Sequence, residues 1–358
     1  MIYKLSDLCD YVKEKIDVKE LTPKNYISTE NMLPNKRGIS IASSIPSILQ
    51  TQAFKKGDIL ISNIRPYFKK IWYAEYDGGC SNDVLVLRAK KGVNKQYLYY
   101  LLADDRFFDY AMAFSKGTKM PRGDKTAIMN YSVISFSSEK QDNIAEILNV
   151  LDKKIFINDK INRNLSEQAF ALFKEMFPNV NQGEHTLGEY LSAVKGKALL
   201  SKDAVEGDVP VIAGGLSPAT YHNVANTKAP VLTISASGAN AGYVALWNVD
   251  VWSSDSSYID SNMTENVYFW YVMLKTRQKE IFDAHTGSVQ PHIYPKNIDN
   301  LSVAELDRKI VTDYTMQVSP LFELIGKNIK ENERLIILRD SLLPKLMSGD
   351  LNVSNLYI

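Results

Sequence analysis

The apolar positions of this chain change period several times, and each change marks a predicted element. Between residues 144 and 176, Ile144, Leu148, Leu151, Ile155, Asn158, Asn162, Leu165, Ala169, Leu172 and Met176 recur at alternating spacings of four and three. Leu321, Ile325, Asn328, Asn332, Leu335, Arg339, Leu342 and Leu346 do the same. That spacing is the seam of paired helices, narrower than the face a helix turns to a globular core. A buried seam asparagine lowers stability and fixes register. Two per helix at equivalent places predict that the helices pair with each other, Ile155, Asn158, Asn162 and Leu165 on one side of the seam and Ile325, Asn328, Asn332 and Leu335 on the other. A two-fold relation between them would make the pair antiparallel. At about 1.5 Å per residue the first helix, taken from Lys140 to Met176, spans roughly 55 Å, more than the roughly 34 Å of one turn of B-DNA. Pro178 and Pro344 are expected to mark helix ends, and Pro320 to interrupt the second helix or begin its regular part.

Shorter periods fill the rest. Asp58–Asn63, Lys70–Ala74 and Asn82–Arg88 read as strands, with a turn at Asp77–Gly79 between the last two. Gln96–Phe108 reads as a helix with an aromatic and aliphatic face, and "YSVISF" as a closing strand. Further on, Val231–Ser235, Tyr243–Trp247 and Ser253–Ile259 read as strands, Glu265–Asp283 as a helix and "NLSVAEL" as the final strand.

These two series are one series used twice. "KLSDLCDYVKEK" resembles "TLGEYLSAVKGK", "DILISN" and "CSND" map onto "PVLTIS" and "WSSD", and "KGTKMPR" maps onto "TGSVQPH". "NDKINRNL" matches "NIKENERL" in the helices. A period of this length is too long for a solenoid. The expected organisation is a globular part at 1–137, a long helix at 138–178, a second globular part at 179–304, a second long helix at 305–350 and a tail at 351–358. The fold class expected is α+β: two α/β domains joined by two long helices in an antiparallel coiled coil, with a pseudo-two-fold internal repeat.

Composition sharpens this picture in one respect. The chain of 358 residues has a formal net charge of +1, but residues 1–137 carry +7 and residues 181–305 carry −5. The two cysteines, Cys9 and Cys80, make no disulfide framework and fit a reducing cytoplasm. No window is apolar enough for a membrane span and no secretory leader is read. No P-loop, no G-x-S-x-G and no "NPPY"-like or "DPPY"-like stretch occurs, and the glycine pair in "VIAGGLS" is a turn rather than a dinucleotide fingerprint. The histidines do not cluster at metal spacing. Nothing in the chain reads as catalytic.

The repeat keeps the strands and changes the turns. "IRPYFKK" occupies the place of "ASGANAG", and "SKGTKMPRGDK" that of "HTGSVQPHIYPK". One scaffold carrying two turn chemistries is what a reader of two different DNA half-sites requires. Candidate DNA contacts are therefore Arg65, Tyr67, Lys69, Lys70, Lys116, Thr118, Lys119 and Arg122 in the first copy. In the second they are Ser237, Asn240, Tyr243, Ser288, Gln290 and His292. Lysine and arginine meet phosphates, arginine pairs with guanine and glutamine with adenine, and aromatic rings stack or wedge. The alternatives are a coiled-coil scaffold that organises partner proteins without reading DNA, and a nuclease or methyltransferase subunit. A scaffold has no reason to vary turns on a preserved frame, and the missing motifs argue against the enzymes.

The stretches 57–88, 117–125, 151–177, 287–298 and 332–351, including the closing "LLPKLMSG", resemble the specificity subunit of type I restriction–modification systems. The resemblance implies two target-recognition domains, each followed by a long helix, that together recognise a bipartite double-stranded DNA target. It implies methyltransferase subunits that methylate adenine and restriction subunits that translocate and cleave, with S-adenosylmethionine, Mg and ATP bound by those partners and no cofactor bound here. It implies a non-catalytic protein, and the cysteine usage leads to the expectation that the protein is cytoplasmic. The acidic second copy leads to the expectation that DNA is held partly by the partners' charge.

Overall fold

The computed structural model describes residues 2–287 and 291–351. The chain divides into two compact units, residues 1–155 with 334–358, and residues 156–333. It is an α+β protein in which two long helices, Ser138–Met176 and Arg308–Ser348, pack antiparallel. The unit boundary falls inside both helices, so each unit holds a stretch of each.

In the first unit Cys9–Tyr11, Val84–Ala89, Ile59–Ser62 and Ile71–Tyr73 form an antiparallel sheet in that order. The strands alternate with period two, yet both faces are apolar because both are covered. Ile59, Ile61, Leu85 and Leu87 face helices Lys95–Ala103 and Asp105–Ala113, along with Ile144 and Leu148 of the first long helix and Leu343 and Leu346 of the second. Leu60, Trp72, Val84 and Val86 face Ile27, Phe54 and Cys80 of a second sheet. Full burial of each such side chain is worth roughly 1.5–3 kcal/mol. Ile2–Lys4 pairs with Ser132–Ile134.

The second unit repeats this order with Val194–Lys195, Ser256–Asp260, Val231–Ser235 and Val244–Trp247. Helices Val267–Thr276 and Gln278–Asp283 cover it, packing with Ala169 and Phe173 of the first long helix and Tyr314 and Phe322 of the second. His185–Thr186 pairs with Ser302–Val303, as Ile2–Lys4 does with Ser132–Ile134 in the first unit.

Several predicted boundaries move. Gly78–Cys80 is a strand of the second sheet, not a turn. A Cβ on Gly78 would collide with the Asn25 carbonyl oxygen, so glycine is required there by close backbone approach. The helix read over 96–108 breaks at Asp104, which is buried and extended (φ −64°, ψ 135°) and caps the second piece by accepting from the Arg106 amide at 2.9 Å. The helix read over 265–283 starts at Val267 and breaks at Arg277. The strand read over 253–259 is two strands, Trp252–Ser253 and Ser256–Asp260, in different sheets. Pro320 does not interrupt the second long helix: it is solvent-exposed. Nor does Pro344 end that helix, which runs on to Ser348.

Candidate nucleic-acid interface

In the first unit two loops are locked together at one end of the main sheet. Strand Ile59–Ser62 leads into Arg65, in the left-handed region at φ 50°. A single turn, Pro66–Phe68, comes next, and Lys69 at φ 51° returns the chain to strand Ile71–Tyr73. The proline ring presets φ for that turn. The second loop succeeds helix Asp105–Ala113. Lys116 and Arg122 exchange both backbone hydrogen bonds at 2.9 Å, closing a loop through Gly117 at φ 94°. Two bonds join the loops: Arg65 N–H donates to the Pro121 carbonyl at 2.8 Å, and Gly123 N–H to that of Asn63 at 3.2 Å.

The second unit builds the same joint from different residues. Strand Val231–Ser235 leads into Ser237 and a single turn, Gly238–Asn240. Thr286 and His292 exchange both backbone bonds at 2.9 Å around Gly287 at φ 92°. Gly238 N–H donates to the Pro291 carbonyl at 3.1 Å, and Ile293 N–H to that of Ala236 at 2.9 Å. Arg122 and His292 thus occupy one framework position, as do the turns at 66–68 and 238–240.

The side chains on this shared frame differ. Tyr67 and Phe68 are exposed with ring centroids 4.7 Å apart. Thr118 and Lys119 are exposed in the loop. Arg122 is exposed and its Nη2 lies 3.1 Å from Asp83 Oδ1. Lys116 Nζ lies 2.8 Å from Asp124 Oδ2; that ammonium, and then the Ala127 amide, hold the Asp124 carboxyl at about 2. Arg65 is half-buried, and its Nε is enclosed without a hydrogen-bond partner. Lys69 and Lys70 do not reach outward as free phosphate ligands. Lys69 Nζ lies 2.8 Å from Asp105 Oδ2, and Lys70 Nζ donates to the Thr29 carbonyl at 2.6 Å while lying 5.7 Å from the Phe68 ring centroid. Burial lowers the pKa of the Lys70 ammonium.

In the second unit Ser237 Oγ donates to Asp255, the counterpart of Asp83 in the repeat. Asn240 Nδ2 donates to the Gly214 carbonyl at 3.3 Å. Tyr243 is half-buried with Lys275 Nζ 4.1 Å from its ring centroid. His292 stacks on the exposed Tyr294 ring, centroids 6.0 Å apart and 14° from parallel. Ser288 and Gln290 lie outside the described residues. Sequence reasoning passed over three participants: Asp83, Asp105 and the segment 33–38. The repeat "CSND"/"WSSD" held the signal for the first. Asp105 lies within the helix read over 96–108, and it pairs with Lys36 as well as Lys69.

On the long helices every predicted seam residue is at least half-buried. Asn158 Nδ2 donates to Asn332 Oδ1 at 2.8 Å and to Glu331 Oε2 at 2.7 Å. Asn328 Nδ2 donates to Asn162 Oδ1 at 2.8 Å, and Asn332 Nδ2 to Asp159 Oδ1 at 2.8 Å. All of these belong to the second unit; in the first, Arg339 Nη1 meets Asp152 Oδ1 at 2.8 Å. Among the described residues no group of three or more His, Cys, Asp and Glu could hold a metal, and no helix is long and apolar enough to cross a membrane.

Residues 1–167 match the family model described as the type I restriction modification DNA specificity domain. The chain is 23% identical over 392 residues to the MjaIX type I restriction enzyme specificity subunit of Methanocaldococcus jannaschii, covering 95% of this chain and 88% of that one. It is 28% identical over 240 residues to the HindI specificity subunit of Haemophilus influenzae, covering 63% and 52%. The fold is similar to the crystal structure of a type I restriction–modification S subunit from M. genitalium, with a TM-score of 0.60 and 22% identity over 97% of this chain and 96% of that one.

Proposed function

The chain belongs to the specificity subunits of type I restriction–modification systems, the part that recognises the DNA target, and on that premise we propose that its two units read two unlike halves of one bipartite site. It is non-catalytic. The observation that carries the proposal is the repeated two-loop joint: equivalent backbone bonds hold Arg65, Tyr67 and Arg122 in one unit and Ser237, Asn240 and His292 in the other. A shared frame carrying different side chains supports recognition of different base edges. The unread spacer is then set by the long helices, which run through both units.

The chain acts as one subunit of a type I complex, with methyltransferase and restriction subunits as its partners. Their docking is supported by apolar side chains left exposed on the long helices, Phe156 and Ile157 in the second unit and Ile336 and Ile337 in the first. S-adenosylmethionine, Mg and ATP chemistry belongs to those partners. The test is duplex binding by the assembled complex. Arg122→Ala weakens the cognate site by about 1–3 kcal/mol and relaxes one half-site only. Unchanged binding, or equal relaxation of both halves, rejects the proposal.

A further inference from the structure

The strand Tyr26–Ile27 runs parallel beside Gly79–Cys80, and in the second unit Val211–Ile212 runs parallel beside Trp252–Ser253. The segment that leaves each of these strands differs most between the copies: residues 28–49 in the first unit, only residues 213–219 in the second. Both segments nevertheless meet the turn that starts the recognition joint. In the second unit the contact is the Asn240 bond to Gly214. In the first it is far more extensive. Leu33 N–H donates to the Gly38 carbonyl at 2.8 Å and closes a hairpin. From that hairpin Asn35 N–H donates to the Phe68 carbonyl at 2.8 Å and Lys36 N–H to that of Lys69 at 2.9 Å. Lys36 and Lys69 then share the two oxygens of Asp105, at 2.9 and 2.8 Å.

The backbone at this junction is unusual. Among the described residues, the non-glycine positions with positive φ are Asn35, Lys36, Arg65 and Lys69, at 57°, 61°, 50° and 51°. Asparagine enters the left-handed region with some ease; lysine and arginine do not. Such conformations persist where the surroundings over-determine them, and they cluster at working sites. Here the effect is definite. Two lysine side chains are turned inward onto one carboxylate, and the next residue, Arg37, is left exposed. Gly38, at φ 82°, stands behind it with open space where a Cβ would be.

We propose that the hairpin Leu33–Gly38 is a third DNA-contacting element of the first unit, with Arg37 meeting the duplex and Asp105 positioning it. This rests on the reading that the two-loop joint faces DNA. An arginine brings a rigid fork of donors that suits phosphate or a guanine edge, and nothing in the shorter segment of the second unit supplies one. The two copies then differ in the number of contacting loops as well as in turn chemistry.

The test uses the chain assembled with its modification subunits, on a duplex bearing the methylated target and on an unrelated duplex. Arg37→Ala weakens binding about tenfold, a loss typical of one such contact. If cognate and unrelated duplexes lose equally, Arg37 meets phosphate; if only the cognate loses, it reads a base. Lys91→Ala, an exposed basic residue past the far end of strand Val84–Ala89, stays within about twofold. Arg122→Ala is the reference for the joint. Arg37→Ala within twofold of wild type while Arg122→Ala weakens binding overturns the third loop alone. No change in either overturns the joint as well.

Discussion

An ion pair helps hold the second long helix in the first unit, and its removal has a calculable cost. Arg339 Nη1 lies 2.8 Å from Asp152 Oδ1, with side chains 15% and 27% exposed. Tyr100 donates to Asp152 Oδ2 at 2.8 Å, and Arg339 Nη2 lies 2.9 Å from Asp340. Burial, and then the Asp152 charge, raise the Tyr100 phenol pKa far above its ordinary range, so this donor persists at neutral pH. At an effective dielectric of about 20, unit charges about 4 Å apart attract by roughly 4 kcal/mol. Desolvation of both groups offsets most of that. Breaking a fully buried pair costs about 3–5 kcal/mol, because one charge is stranded. Asp152 retains some solvent and the Tyr100 hydroxyl, so Arg339→Leu should cost about 2 kcal/mol. Asp152→Leu leaves Arg339 with Asp340 and should cost about 1–2 kcal/mol. The double variant strands no charge and should cost less than the sum, giving a coupling of about 1–2 kcal/mol. Amide exchange across residues 334–348 reads this locally: 2 kcal/mol is roughly thirtyfold faster exchange. Unchanged protection in Arg339→Leu, or additive costs within about 0.5 kcal/mol, refutes the reasoning.

Other outcomes are expected from the loops and the core. Asp124→Asn keeps an acceptor for the Thr126 and Ala127 amides but releases Lys116; DNA affinity of the assembled protein should rise and its salt slope steepen by roughly 1, and an unchanged slope places Lys116 away from phosphate. The Asp124 carboxyl is held at about 2, below its ordinary 3.8, so the order it lends this loop is complete above the ordinary value and lost as pH falls through about 2; amide exchange at Thr126 checks it. Gly78→Ala drives a methyl group into the Asn25 carbonyl oxygen and to 2.7 Å from the Phe54 ring, and should destabilise the first unit by about 2–3 kcal/mol in thermal melts. Burial pushes the Cys9 and Cys80 thiols up to about 12, so a disulfide reagent at pH 8 should modify neither until denaturant is added.

Much of the fold was legible because the repeat states it twice. The runs "DILIS" and "VLVL" announce strands, and the alternating four-three spacing announces the paired helices. What escaped depends on distant partners. Asp77–Gly79 reads as a turn because glycine pairs usually are, yet Gly78 lets the strand Gly78–Cys80 approach the Asn25 backbone. Asp104 lies in a run that keeps helical period, and only its capping bond to Arg106 shows the break. Pro344 reads as a stop signal, but the helix continues past it to Ser348. Of the candidate contacts, the loop positions were visible and the side-chain directions were not. Lys69 and Lys70 look like phosphate ligands by composition, but Asp105 and the Thr29 carbonyl hold them. The hairpin at 33–38 has no counterpart in the second copy, so a comparison of the copies could not bring it forward.

Like frames with unlike loops should read unlike half-sites. Base-resolved mapping of methylated adenines, in cells with this chain and its partner subunits and in cells lacking the chain, tests that claim most directly. The expected result is one motif with two non-identical halves and a fixed unread spacer, lost when the chain is removed. A contiguous motif, two identical halves, or methylation that persists without the chain would contradict it.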